Sequence, residues 1–177
     1  MEKILMSLRA LGSLILILSL SSCASAPHLP DYREGIIDAE IVWSNGTTTL
    51  SMRLHTEAAP DGKAPRDLTV ELLTPPALEG IIITRKNGEI SVACGEMQAN
   101  AEALSSYLYP TDLLLVTGVI TPIAQTELDG VKVQYAQIQK ENENESYELF
   151  LSPETGYPKE IRHGKESLQI RNFNRTP

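Results

Sequence analysis

Beyond Tyr32 the chain alternates apolar and polar residues in short segments divided by turn residues, the pattern of an antiparallel sheet built from hairpins. Ile37, Ala39, Ile41 and Trp43 share one face while Asp38 and Glu40 take the other, a period of two. Asn45-Gly46 supplies the positive φ of a tight turn. The next segment sets Leu50, Met52 and Leu54 against Ser51, Arg53 and His55, so one face is dry and the other wet. After the polar loop Ala58 to Pro65 the alternation returns at Leu68, Val70 and Leu72. Pro75 and Pro76 then interrupt it, because proline cannot donate to a ladder. Ile81 to Thr84 and Glu89 to Val92 form the next hairpin around Asn87-Gly88.

The middle of the chain changes period. Gln98 to Leu104 is rich in helix formers, and Asn100 as N-cap predicts a helix from about Ala101 to Tyr109. Leu113 to Ile120 is an apolar run that periodicity alone assigns to neither helix nor strand. Pro110 with Thr111 or Asp112 as cap favours a helix there, covered by the sheet. Strands resume after Asp129-Gly130 as Val131 to Tyr135, Tyr147 to Leu151, Tyr157 to Ile161 and Leu168 to Phe173. The fold class read from this order is mainly β (α+β), an antiparallel sheet with a helical insert.

The first residues follow a different pattern. Lys3 and Arg9 precede the apolar run Leu14 to Leu18, and small residues close it, as in a secretory signal. A spanning helix needs roughly 20 apolar residues, and Gly12, Ser13 and Ser19 break this run. Leu20-Ser21-Ser22-Cys23 resembles the lipobox of bacterial lipoprotein precursors, which implies cleavage before Cys23 and lipidation of its sulfur. An ordinary signal cut near Ala24-Ser25-Ala26 is the competing reading. The division is then residues 1–22 as signal peptide, 23–32 as lipid-anchored tether and 33–177 as one domain. From Ala24 to Pro30 the tether reaches only about 20 Å, which keeps the domain beside the bilayer. The expected location is the cell membrane. Ala24 rather than Asp after the cysteine resembles outer-membrane lipoproteins, should the cell have two membranes.

Charge narrows the partners. The full chain of 177 residues carries a net charge of −8, and removal of residues 1–22 leaves 13 bases against 22 acids. Nucleic acid, whose phosphates demand clustered Lys and Arg, is excluded as a partner. Glu141, Glu143, Glu145 and Glu148 read as a solvated loop rather than a cation site. With Cys23 committed to lipid, Cys94 has no partner for a disulfide, and its alternation with Ile90 and Val92 predicts a buried thiol. His28, His55 and His163 show no zinc spacing, so no metal and no cofactor is expected. No Gly-x-Ser-x-Gly turn or Ser-x-x-Lys pair occurs, and the chain reads as no enzyme.

Strand order, central insert and the hairpin Leu149-Phe150-Leu151-Ser152-Pro153-Glu154-Thr155-Gly156-Tyr157-Pro158-Lys159-Glu160-Ile161, followed by the strand Leu168 to Phe173, resemble exported lipoproteins with the Lol-type (LolA- and LolB-like) half-barrel. The resemblance covers most of residues 33–175. It implies an incomplete antiparallel β-barrel whose concave apolar side is closed by helices and holds acyl chains. Two features of that family have no counterpart: the receptor's exposed hydrophobic loop, since Ala58 to Pro65 is polar, and the carrier's lid-locking arginine. Two functions follow. One is a membrane-anchored module binding an acyl chain, lipid or lipoprotein against Trp43, Leu50, Met52, Leu54, Val70, Leu72, Ile83 and Leu149, side chains that a filled core would equally explain. The other is a structural or interaction lipoprotein that docks on a cell-envelope protein and needs no pocket.

Overall fold

A computed structural model describes residues 31–58, 66–100, 102–140 and 145–176. The signal segment, Cys23, the tether as far as Pro30, most of the polar loop and Glu141 to Asn144 lie outside them. The strands are β1 (Ile36–Ser44), β2 (Thr49–Thr56), β3 (Leu68–Thr74), β4 (Ile81–Lys86), β5 (Glu89–Cys94), β6 (Met97–Asn100), β7 (Val119–Leu128), β8 (Val131–Gln139), β9 (Ser146–Leu151), β10 (Pro158–His163) and β11 (Glu166–Thr176). They form one sheet in the order β6-β5-β4-β3-β2-β1-β11-β10-β9-β8-β7, antiparallel at every pairing.

That order explains the shape. The first and last strands pair at the centre, and each half runs outward as a meander until β6 and β7 end at opposite edges. The two edges do not pair, so the barrel stays open. The chain between β6 and β7 must cross from one edge to the other, and it does so as a 3-10 helix (Glu102–Leu108) running into α1 (Tyr109–Leu114). Register shifts between β1 and β11, β2 and β3, β7 and β8, and β9 and β10 bend the sheet around this insert.

The insert departs from the sequence expectation in three ways. Asn100 ends strand β6. The helix expected over Ala101 to Tyr109 is a 3-10 segment that becomes α-helical only at Tyr109. The second helix expected over Leu113 to Ile120 stops at Leu114, and Val119 and Ile120 open β7 instead. Gly118, at φ +143°, turns the chain after the helix into β7, and the β-branched Val119, Ile120 and Thr121 pair with β8. Pro122 is tolerated because β7 is an edge strand.

Cys94 is a further correction: it is exposed. It does share the inward face with Ile90 and Val92, through the pairings Ile83 with Val92 and Ile81 with Cys94. Its other cross-strand partner is Met97, 74% exposed, so this corner of the sheet lies beyond the cover of the insert.

Candidate functional site

Cross-strand pairing lays the inward side chains in rows. One row runs Ala136, Leu149, Ile161, Leu168, Trp43, Leu50 across β8, β9, β10, β11, β1 and β2. A second runs Ala39, Leu54, Val70, Ile83, Val92 across β1 to β5. Met52 and Leu72 pair between them. All eight residues expected to line the concavity therefore share one face. Leu50, Met52, Leu54, Val70, Leu72, Ile83 and Leu149 are buried in one cluster, and Trp43 packs partly buried against it. Cys23 lies outside the described residues.

The insert covers this face with Leu108, Leu113, Leu114 and Val116, Tyr32 packs in ahead of β1, and the sheet adds Ile37, Ile41 and Ile170, residues beyond those the sequence singles out for the site. The period-two alternation of Ile37 to Trp43 and of Leu168 to Ile170 was the signal available for the strand residues. Nothing in the run Leu113 to Val116 told which of its side chains point inward.

Polar ties hold the insert at two places. At its C-terminal end, Tyr32 donates its hydroxyl to the Leu114 carbonyl at 3.0 Å, and Arg33 donates to the carbonyls of Val116 at 2.6 Å and Gly118 at 3.0 Å. The Arg33 guanidinium is held in turn by Asp31, Nε to Oδ1 at 2.7 Å. Partial burial pushes the Asp31 carboxyl up, but the Arg33 hydrogen bonds and charge outweigh it and hold it below its usual value. This clamp is in place at neutral pH and is lost as pH falls through the carboxylate range. Along α1, Arg85 pairs with Asp112 at 3.1 Å, and the Tyr109 hydroxyl donates to Glu166 at 2.5 Å. Partial burial and the Glu166 carboxylate push the Tyr109 phenol up, so it remains a donor at neutral pH.

A groove of about 620 Å³ opens where β11 parts from β10, between the outward Asp38, Glu40 and Arg53 and the inward Phe173, the cross-strand partner of Ala39. β10 pairs with β11 only as far as Gln169, so β11 from Ile170 onward has no strand partner on that side among the described residues. The groove lies along this stretch, bounded by the turn Ser152 to Pro158. Its rim balances Asp38, Glu40 and Glu154 against Arg53, Lys159 and Arg171, and Tyr157 and Phe173 stand in it with ring centroids 4.9 Å apart. No run of residues in the sequence marked it.

At this rim His55 Nδ1 lies 2.7 Å from Asp38 Oδ1 and Nε2 lies 3.7 Å from Glu57. The hydrogen bond that its Nδ1–H donates to Asp38, against slight desolvation, raises the imidazole above its ordinary 6.5. Its contribution to stability is full below the unfolded value and lost as pH rises through the higher folded one. An NMR titration of His55 is expected to give a midpoint above 6.5, and Asp38→Asn to lower it. An unshifted wild-type midpoint refutes the pairing.

Among the described residues no helix is long and apolar enough to cross a membrane, and no group of His, Cys, Asp and Glu is placed to hold a metal ion.

No protein-family model matches the sequence, and no curated protein matches it. Solved structures do match the fold. An uncharacterized conserved protein from Thermus thermophilus is 14% identical with a TM-score of 0.50, over 82% of this chain and 81% of that one. MucB of Pseudomonas aeruginosa is 16% identical with a TM-score of 0.50, over 82% of this chain and 55% of that one, so the chain spans about half the length of MucB. A LolA superfamily protein from Nitrosomonas europaea is 8% identical with a TM-score of 0.35, over 82% and 87%. What the chain has in common with the Thermus protein and MucB is the fold, an open antiparallel half-barrel.

Proposed function

We propose that the protein is an exported lipoprotein, anchored through Cys23, that binds a hydrophobic ligand (an acyl chain, a lipid or a lipoprotein) between the concave face of its sheet and the insert. The observation that carries this reading is the construction of the cover. A continuous apolar face from β1 to β5 and β8 to β11 is closed by a seven-residue 3-10 helix and a six-residue α-helix. Helices this short have little stability of their own and owe their conformation to the surface beneath them. An acyl chain offers that surface an equivalent partner, at about 0.8 kcal/mol per methylene removed from water. The insert then swings aside about its polar ties, and Leu50, Met52, Leu54, Val70, Leu72, Ile83 and Leu149 meet the ligand in place of its leucines. The Cys23 anchor and short tether, with 1–22 removed, keep this face near the bilayer.

The test is native mass spectrometry of the protein from its own host, with titration by a fluorescent fatty-acyl probe. Co-purifying lipid and saturable probe uptake are expected. A lipid-free protein that leaves the probe unshifted overturns the reading. Mass spectrometry of the mature N-terminus tests the anchor, which predicts a chain beginning at an acylated Cys23.

The groove beside β11 supports a second reading, docking on a cell-envelope protein. Its warrant is the free backbone edge of β11 lying along a groove with aromatic side chains and a balanced rim of charge. Crosslinking in intact cells separates the two: adducts to a discrete protein at Lys159 or Arg171 favour docking, and lipid adducts alone favour the carrier.

A further inference from the structure

Among the described residues, the apolar face contains a polar atom with nothing to bond. The Trp43 indole Nε1 is buried and has no hydrogen-bond partner among the described residues. Its cross-strand neighbours on the inward face are Leu50 and Leu168, and no acceptor comes from either. A buried donor without a partner is rare in native proteins, and phenylalanine would fill this place in the row without one. Trp43 also stands where the sheet meets the cover, with its ring edge-on to that of Tyr109 at 6.3 Å.

We infer that Trp43 is the polar anchor of the ligand site, its Nε1–H donating to the carbonyl oxygen of an acyl chain joined through an ester or amide. The inference rests on the acyl-binding reading above and names the ligand class. The charge beside the indole selects the carbonyl. Glu166 lies two residues along β11 from Leu168, the partner of Trp43, and its carboxylate already holds the Tyr109 hydroxyl. A free fatty acid brings a second carboxylate toward it, whereas an ester or amide accepts the indole proton and adds no charge. His163 faces Glu166 across β10 and β11.

The experiment compares decane, decanoate, methyl decanoate and N-methyl decanamide as competitors of a fluorescent acyl probe on the full chain at pH 8. In the wild type, the ester or the amide is expected to compete about tenfold better than decane, the value of one hydrogen bond inside an apolar site. Whichever of the two competes better identifies the linkage, and with it a glycerolipid or an acylated amine as the source. Trp43→Phe should remove that advantage, so that ester, amide and decane compete alike with one another. Trp43 is the chain's single tryptophan, so its indole N–H gives one resonance in a ¹⁵N–¹H spectrum. That resonance should move downfield with the carbonyl probes and stay with decane, which keeps the test decisive even if Trp43→Phe folds poorly. Equal competition by decane and the carbonyl probes, with a still indole resonance, overturns the anchor while acyl binding stands. Decanoate competing as well as the ester overturns the selection against charge. If no competitor acts and no probe binds, acyl binding itself fails, and the anchor with it.

Discussion

Gly118→Ala is expected to cost about 3 kcal/mol of folding stability, read as a lower midpoint in urea denaturation. Gly118 sits at φ +143°, a conformation that L side chains rarely adopt, where the insert turns into β7. A Cβ there would run into the backbone carbonyl of Gln139 in the neighbouring strand β8 and touch Ile138 Cγ2 at 3.0 Å. Backbone cannot rotate away as a flexible side chain can, so β7 must move off β8 or the insert must enter the strand at a different angle. Either displaces the Gly118 carbonyl from Arg33 and loosens the clamp on the cover. A midpoint equal to that of the wild type refutes this account of the crossover.

Leu54→Ala should cost a similar amount, about 3 kcal/mol, through lost apolar burial and the cavity left behind. Leu54 has no solvent exposure and sits between Ala39 and Val70 in the second row of the concave face. Its neighbours are held by the sheet ladder on both sides, so the space closes only in part. Arg53→Ala, one residue earlier on the convex face, is the control. It breaks an exposed ion pair with Glu71 and should cost less than about 1 kcal/mol. Equal losses at the two positions would mean that the inward face does not carry the stability.

The same alternation that contrasts Leu54 with Arg53 made most of the sheet readable. Where one face is dry and one wet, side chains at a period of two fix which residues point inward, and the strands from β1 to β5 followed that rule, whereas in β8 the inward residues are Ala136 and Ile138, and Val131, Val133 and Tyr135 lie on the opposite face. The insert was less readable. Leu113 to Ile120 is apolar throughout, and such a run satisfies a helix and a strand alike. The break at Gly118 and the pairing of Val119 to Leu128 with β8 come from contacts with a strand later in the chain. Cys94 shows the same limit: its face was legible, but its exposure depends on how far the insert reaches.

By itself, the sequence determined an antiparallel, hairpin-built sheet with an apolar inner face, a break at its middle, and the lipobox-like segment ending at Cys23. These are local properties, carried by spacing and by the conformational preferences of single residues. The tertiary structure alone decided that β1 closes on β11, that the insert therefore crosses the open face from β6 to β7, that Trp43 Nε1 is buried without a partner, and that β11 keeps a free edge along a charged groove. Each of these depends on the meeting of residues far apart in the chain, and no periodicity within a segment encodes which segment its neighbour will be.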